Sequence, residues 1–207
     1  GVLLILDEVM CGMGRTGYLF ACEADGVVPD ILCIAKGLGA GYQPIGAMLC
    51  TTKIYQTIKN GSGFFQHGHT YLGHPVVSAA GYAVVQAILT RNLVPRVRKM
   101  GDKLDKALKA QFGSHPHVGD IRGRGLFRAL ELVKDRETKT PFDPTIGLAG
   151  KIKKAAFAAG LICYPMSGTR DGKNGDHVLL APPFILEDQH IDEIVSKLST
   201  ALAVCPT

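Results

Sequence analysis

The chain opens on an unbroken apolar run, Gly1-Val2-Leu3-Leu4-Ile5-Leu6, that stops at two carboxylates, Asp7 and Glu8. A strand with one wet face alternates apolar and polar residues. A run with no polar member has to be covered on both faces, as the central strands of parallel sheets are. Two further runs, 31–35 and 45–50, have the same character. Glycine-rich stretches separate them: Gly12-Met13-Gly14-Arg15-Thr16-Gly17 and Lys36-Gly37-Leu38-Gly39-Ala40-Gly41. This is the pattern of an α/β sheet whose loops are built around something. The first run is too short for a membrane span or a signal peptide, and Asp7-Glu8 follows too soon. Such a strand seldom begins a protein, and no Met precedes it, so the start reads either as an arbitrary one or as that of a piece cut from something longer.

With 207 residues, 46% of them hydrophobic and 20% charged, the chain can bury a real core, which excludes a disordered or fibrous chain. The net charge is +5, but Lys and Arg are scattered among acids, with no Trp and no run of four basic residues. A nucleic-acid binder would show a basic stripe interleaved with aromatics, so neither nucleic acid nor a membrane is expected as a partner. The six cysteines (Cys11, Cys22, Cys33, Cys50, Cys163 and Cys205) contain no C-x-x-C pair, and several lie in apolar runs. Buried free thiols in a reducing cytosol, hence a cytoplasmic protein, are the expectation.

Residues 75–90 read as a helix with Pro75 in its first turn, and 95–112 as an amphipathic helix with Val97, Met100, Leu104, Leu108 and Phe112 on one face. After Gly113 the character changes. Strands are predicted at 126–133, 161–164 and 178–181, and helices at 146–159 and 187–203. A strand-and-glycine part is thus followed by a βαββα part, with the boundary near residue 94.

Four local patterns compete for the chemistry. Gly12-x-Gly14-x-x-Gly17 has the letters of a dinucleotide fingerprint, but no clear helix follows it. Asp7-Glu8 after an apolar strand imitates the magnesium-binding strand end of nucleotide hydrolases, yet no G-x-x-x-x-G-K-[ST] loop is present. His67, His69 and His74 lack a standard zinc spacing. Lys36 ends an apolar strand beside small residues. A lysine drawn out of water loses its charge more easily and becomes a nucleophile toward carbonyls. The combination matters most: Asp7 ends one apolar strand and Lys36 follows another. An aldehyde cofactor with a pyridine ring needs an amine to hold its aldehyde carbon and a carboxylate to keep its ring nitrogen protonated.

At these residues the chain resembles the class III pyridoxal-phosphate aminotransferases. The motifs, in order, are Leu6-Asp7-Glu8-Val9, Gly12-Met13-Gly14-Arg15-Thr16-Gly17, Pro29-Asp30-Ile31, Ala35-Lys36-Gly37, Pro44-Ile45-Gly46-Ala47, His69-Thr70-Tyr71-x-x-His74-Pro75, Arg122-Gly123-x-Gly125-Leu126 and Ala181-Pro182-Pro183. The resemblance implies an α/β fold of fold type I: a mixed, mostly parallel sheet in a large domain plus a small α+β C-terminal domain. Residues 1–94 would be the C-terminal part of the large, cofactor-binding domain and 95–207 the small domain. It implies pyridoxal 5'-phosphate as cofactor, with Lys36 as the Schiff-base lysine and proton carrier and Asp7 as the partner of the ring nitrogen. Val9 would pack on the ring, and Thr70 would bind the phosphate across a homodimer interface. Arg15 and Arg122 would hold loops.

Two departures bear on substrate. Met10 stands where many members have Gln, and Val178-Leu179-Leu180 stands where many have an Arg that grips a substrate carboxylate. Amine and omega-type transaminases are similar in both respects, and some use a mobile upstream Arg. Arg170 is the candidate here, with a solvated loop arginine as its alternative. The implied reaction transfers an amino group from an amine or omega-amino acid to a 2-oxo acid such as pyruvate. An aminomutase, decarboxylase or racemase on the same scaffold, or a truncated inactive chain, remain open.

Overall fold

The computed structural model describes residues 1–206. The chain divides into two compact units, Gly1–Pro95 and Arg96–Thr207.

The first unit is built on three strands, β1 (Ile5–Asp7), β2 (Ile31–Ile34) and β3 (Ala47–Cys50), in the order β1-β2-β3. β1 and β2 run parallel, with Asp7 opposite Cys33. β3 returns antiparallel, with Ile34 opposite Ala47. The third apolar run is therefore not a parallel strand. A parallel return needs a crossover, usually a helix, and only a 3₁₀ turn, Lys36–Leu38, lies between β2 and β3. The first run is also not buried on both faces: Ile5 is 59% exposed, because β1 pairs on one side only.

Two helices follow, α1 (Thr52–Asn60) and α2 (Pro75–Thr90). Pro75 opens α2, where a missing N–H leaves no hydrogen bond unmade. Gly81 lets α2 lie directly on the turn after β2, since a Cβ there would come within 2.9 Å of the Ile45 side chain. Met13, Leu32, Ile34, Leu38 and Ile88 form the buried core, with Leu6, Ile45, Val84 and Val85 against it. Leu38 follows Lys36 by two residues, so the core anchors the turn that carries the lysine.

α3 (Leu93–Phe112) contains the division between the units. It begins two residues before the expected start. Pro95 lies in its first turn, where backbone N–H groups have no helical acceptor anyway.

The second unit carries an all-antiparallel sheet of β4 (Val118–Arg124), β5 (Phe127–Leu132), β6 (Tyr164–Ser167) and β7 (Asp176–Leu180), in the order β4-β5-β7-β6. With α4 (Leu148–Ala158) and α5 (Asp188–Leu202) it makes a larger core that includes Leu104, Leu108, Phe112, Leu130, Ile152, Val178 and Leu198. β4 has no counterpart in the sequence reading, and β6 starts at Tyr164 rather than 161. The latter shift has a local cause. Gly160 (φ 78°) closes α4, and the Leu161 and Gly160 N–H groups donate to the carbonyls of Ala156 and Phe157, so residues after 160 finish the helix cap before the strand begins. No helix among the described residues is long and apolar enough to cross a membrane.

Candidate active site

Asp7 is the last residue of β1, and its register partner on β2 is Cys33. Lys36 follows Cys33 by three residues and begins the 3₁₀ turn. Because β1 and β2 are parallel, both side chains stand at the carboxyl ends of adjacent strands. That is where open α/β sheets bind ligands, since loops leave the strands there and backbone groups point out of the sheet. Both residues are exposed.

Lys36 has φ 41°, in the left-handed region that a side chain enters at a cost of about 1–3 kcal/mol. The turn holds it there. The Leu38 N–H donates to the Ala35 carbonyl at 2.9 Å and the Gly39 N–H to that of Lys36 at 3.1 Å, while Leu38 is buried in the core. Gly37 lies against Met13, itself left-handed at φ 55°. The glycine loop 12–17 is thus not a phosphate cradle open to solvent. Gly12, Met13, Gly14, Thr16 and Gly17 are all buried, packed behind the lysine turn. Burial pulls the Arg15 guanidinium down to about 10. The buried Thr16 hydroxyl has no hydrogen-bond partner among the described residues.

One oxygen of Asp7 accepts the Val9 N–H at 3.0 Å, a tight turn that half-buries Val9 directly beside the carboxylate. Glu8 behaves differently. It is 3% exposed and its two oxygens accept the N–H groups of Ala21 (2.6 Å) and Cys22 (2.8 Å). A cavity of about 260 Å³ opens beside Asp7 and Glu8, lined also by Leu6, Cys11, Cys22 and Val27. Its thiols are poor nucleophiles: burial and the nearby Glu8 carboxylate push Cys22 up to about 11 and raise Cys11 as well.

Asp7, Val9 and Lys36 therefore all follow or end strands at the carboxyl end of the same sheet. Thr70 is elsewhere in the first unit, in the wholly exposed segment 61–74 between α1 and α2. This segment carries Phe64, Phe65, Tyr71 and Leu72, each more than half exposed. His67, His69 and His74 lie in it too, and the described residues form no group of three ligands able to hold a metal ion. Arg170 belongs to the second unit, exposed in the loop between β6 and β7. Asp171 organises that loop by accepting from the Lys173 and Asn174 N–H groups and the Asn174 side chain, bonds that pull its carboxyl down to about 2. Arg122 bridges Asp120 (2.9 Å) and Glu131 (2.5 Å) on the second sheet. Met10 is 43% exposed next to Val9.

The donor set fits pyridoxal phosphate in two of its requirements. Lys36 offers a primary amine on a strained, anchored turn. Asp7 offers a carboxylate with its second oxygen uncommitted to Val9. Gly37 and Gly39 leave no room for a Cβ, which would meet Met13 at 3.0 Å and run into the Gln43 carbonyl, so the lysine turn packs tightly on its support. Thr70 is the candidate for the phosphate.

The family profile described as aminotransferase class-III matches residues 1–202. An aminotransferase of Gibberella zeae is 49% identical over 205 residues, which is 99% of this chain and 40% of that protein. Among solved structures, an (S)-enantioselective omega-transaminase from Thermomicrobium roseum superposes with a TM-score of 0.90 at 34% identity, covering 98% of this chain and 43% of that one. A pyridoxal-phosphate-bound amine transaminase from an uncultivated Pseudomonas species has a TM-score of 0.89 at 39% identity, over 100% of this chain and 45% of that one. The chain spans less than half the length of these relatives. On the profile and these likenesses, the chain belongs to the class-III aminotransferases.

Proposed function

We propose that this chain carries the lysine–carboxylate portion of the site of a pyridoxal-phosphate-dependent transaminase. The amino group would pass from an amine or omega-amino acid to a 2-oxo acid such as pyruvate. The observation that carries the reading is the pairing of Asp7 with Cys33, three residues before the strained Lys36.

When bound, pyridoxal phosphate supplies an electron sink conjugated to the carbon that bears the amino group. Lys36 supplies the primary amine that joins the aldehyde. With the cofactor bound, Lys36 would be the base that takes a proton from the substrate Cα and returns it one carbon further on. General acid–base work of this kind is worth about 10²–10⁴ in rate. Asp7 would keep a proton at the pyridine nitrogen through the oxygen that the Val9 N–H does not occupy. Val9 walls the ring. Met10 has no donor for a ring hydroxyl, which distinguishes this site from those with Gln.

Thr70 serves the phosphate in this reading. Its segment exposes Phe64 (66%) and Tyr71 (77%), apolar surface that a second subunit of a homodimer would cover. Arg170 is the candidate for the acceptor's carboxylate. Six free thiols suit a reducing cytoplasm. The test uses the full-length protein. Lys36→Ala should abolish the visible absorbance of the lysine-bound cofactor and amino transfer to pyruvate. Retention of both would overturn the reading, as would release of CO₂ or isomerisation of the donor in place of transfer.

A further inference from the structure

The residue after Asp7 has four polar groups, and each is engaged. The Glu8 N–H donates to the Cys33 carbonyl at 2.9 Å, which carries the β1–β2 ladder one step beyond Asp7. Its carbonyl accepts the Gly12 N–H at 2.9 Å. Its carboxylate oxygens accept one backbone N–H each, from Ala21 and Cys22, at the start of a 3₁₀ turn. A buried carboxylate is tolerated only when fully hydrogen-bonded, and bonds to an ionised acceptor are about twice as strong as neutral ones. Position 12 is shaped by the same clamp. A Cβ there would lie 2.7 Å from the Glu8 carbonyl and 3.1 Å from its Cβ. Asp7, by contrast, is exposed, and its carboxylate accepts the Val9 N–H just beyond Glu8.

We infer that Glu8 is a positioning residue for Asp7: clamped by the Ala21 and Cys22 N–H groups, it fixes the backbone from which the Asp7 carboxylate is aimed. The inference rests on the reading that Asp7 meets the pyridine nitrogen of pyridoxal phosphate. Glu8 itself touches no substrate or cofactor. Its influence passes through Asp7, so it should vanish when Asp7 can no longer pair with that nitrogen.

A double-mutant cycle on the full-length protein tests this, with Glu8→Gln, Asp7→Asn and the double variant. The readouts are pyridoxal-phosphate dissociation by equilibrium dialysis and thermal melting of the cofactor-free form. Glu8→Gln offers one oxygen to two N–H groups, and should weaken cofactor binding about tenfold when Asp7 is present. In the Asp7→Asn background its effect should fall below about twofold, while the melting temperature of the cofactor-free form drops equally in both. Equal factors in both backgrounds, with Asp7→Asn itself weakening binding, would overturn the role of Glu8 alone. If Asp7→Asn bound cofactor as tightly as the wild type, the reading of Asp7 would fall, and the role of Glu8 with it. Ala21→Pro is the second variant. It deletes one clamping N–H and leaves Glu8 untouched, and the preceding Phe20 (φ −118°, ψ 137°) already has the backbone a proline requires. It should reproduce the Asp7-dependent loss, and full cofactor affinity in Ala21→Pro would count against the clamp.

Discussion

Met13 lies so close beneath Gly37 that a Cβ at position 37 would be 3.0 Å from the Met13 Cβ, tighter than side chains normally pack. Both neighbours of the contact are constrained, since Met13 (φ 55°) and Lys36 (φ 41°) are left-handed. The glycine loop and the lysine turn therefore share one seat. Gly37→Ala should displace the turn, costing about 1–3 kcal/mol of stability by overpacking. The catalytic loss should exceed that, at least about tenfold in kcat, because the displaced residue adjoins Lys36. Urea melts and steady-state kinetics on the full-length protein check this. Equal kcat in wild type and Gly37→Ala would separate the contact from the lysine.

Glycine at position 36 would relieve the left-handed φ that Lys36 adopts. Lys36→Gly removes a local strain of about 1–2 kcal/mol. It also adds chain entropy to the unfolded state worth roughly 0.4–1 kcal/mol. The net expectation is a cofactor-free protein about 0.5–1 kcal/mol more stable than the wild type and without transaminase activity. Lys36→Ala, which keeps the Cβ, should show the activity loss without the gain. A less stable Lys36→Gly protein would mean that the lysine side chain stabilises its turn.

Asp7 and Lys36 were legible because each is an ionisable residue that stops an apolar run, a signal carried by a handful of neighbouring letters. Glu8 was not. It looks like a twin of Asp7, and its burial is decided by N–H groups 13 and 14 residues away. β3 was found but its direction was not, since direction depends on whether the connection can cross a sheet face. β4 was hidden by its glycines. Gly119 lies where a Cβ would strike the Val133 side chain at 2.7 Å, and Gly123 has φ 142°, so close approach rather than strand propensity chose those residues. Thr70 was proposed by resemblance alone, for its segment is exposed throughout and carries no apolar periodicity that would mark out one threonine.

Two imidazoles should make the second unit sensitive to acid. Burial holds His115 below its usual 6.5, with His117 and Arg136 adding to the effect, and burial with Arg122 does the same to His177 despite Glu131 and Asp176. The His115 Nδ1 accepts the His117 N–H at 3.2 Å, a bond that needs the unprotonated nitrogen. In the folded state both rings favour the neutral form more than they do unfolded. The unfolded chain then binds more protons between 6.5 and the lowered values, so stability rises with pH through that window. Melting temperature should fall as pH drops below about 6.5. In His115→Asn, whose amide oxygen can keep the acceptor, the slope should be shallower. An unchanged slope in both His115→Asn and His177→Gln would assign the acid sensitivity to other groups.

Arg128 is a cation on the core-facing side of β5, with its side chain 8% exposed. Four of its five N–H donors are engaged: Nε by the Gly125 carbonyl (3.0 Å), Nη1 by Asp105 (2.9 Å) and the Gly123 carbonyl (2.8 Å), and Nη2 by the Gly101 carbonyl (3.1 Å). The guanidinium thus ties α3 to the tight β4–β5 connection, where a Cβ on Gly101 would run into the Gly125 backbone. Arg128→Met matches the chain length but leaves three carbonyls without this donor, and Asp105 with only Lys109 (2.7 Å). Removing one partner of a buried ion pair costs about 3–5 kcal/mol. Arg128→Lys should recover less than half of that, because a single ammonium cannot reach acceptors spread around a planar fork. Asp105→Asn in the Arg128→Met background should then cost less than in the wild type, by at least about 1 kcal/mol. Urea denaturation of the wild type, the three single variants and the double variant measures each term. An Arg128→Lys variant within about 0.5 kcal/mol of wild type, the usual error of such differences, would show that charge alone, rather than the fork, holds the connection to the helix.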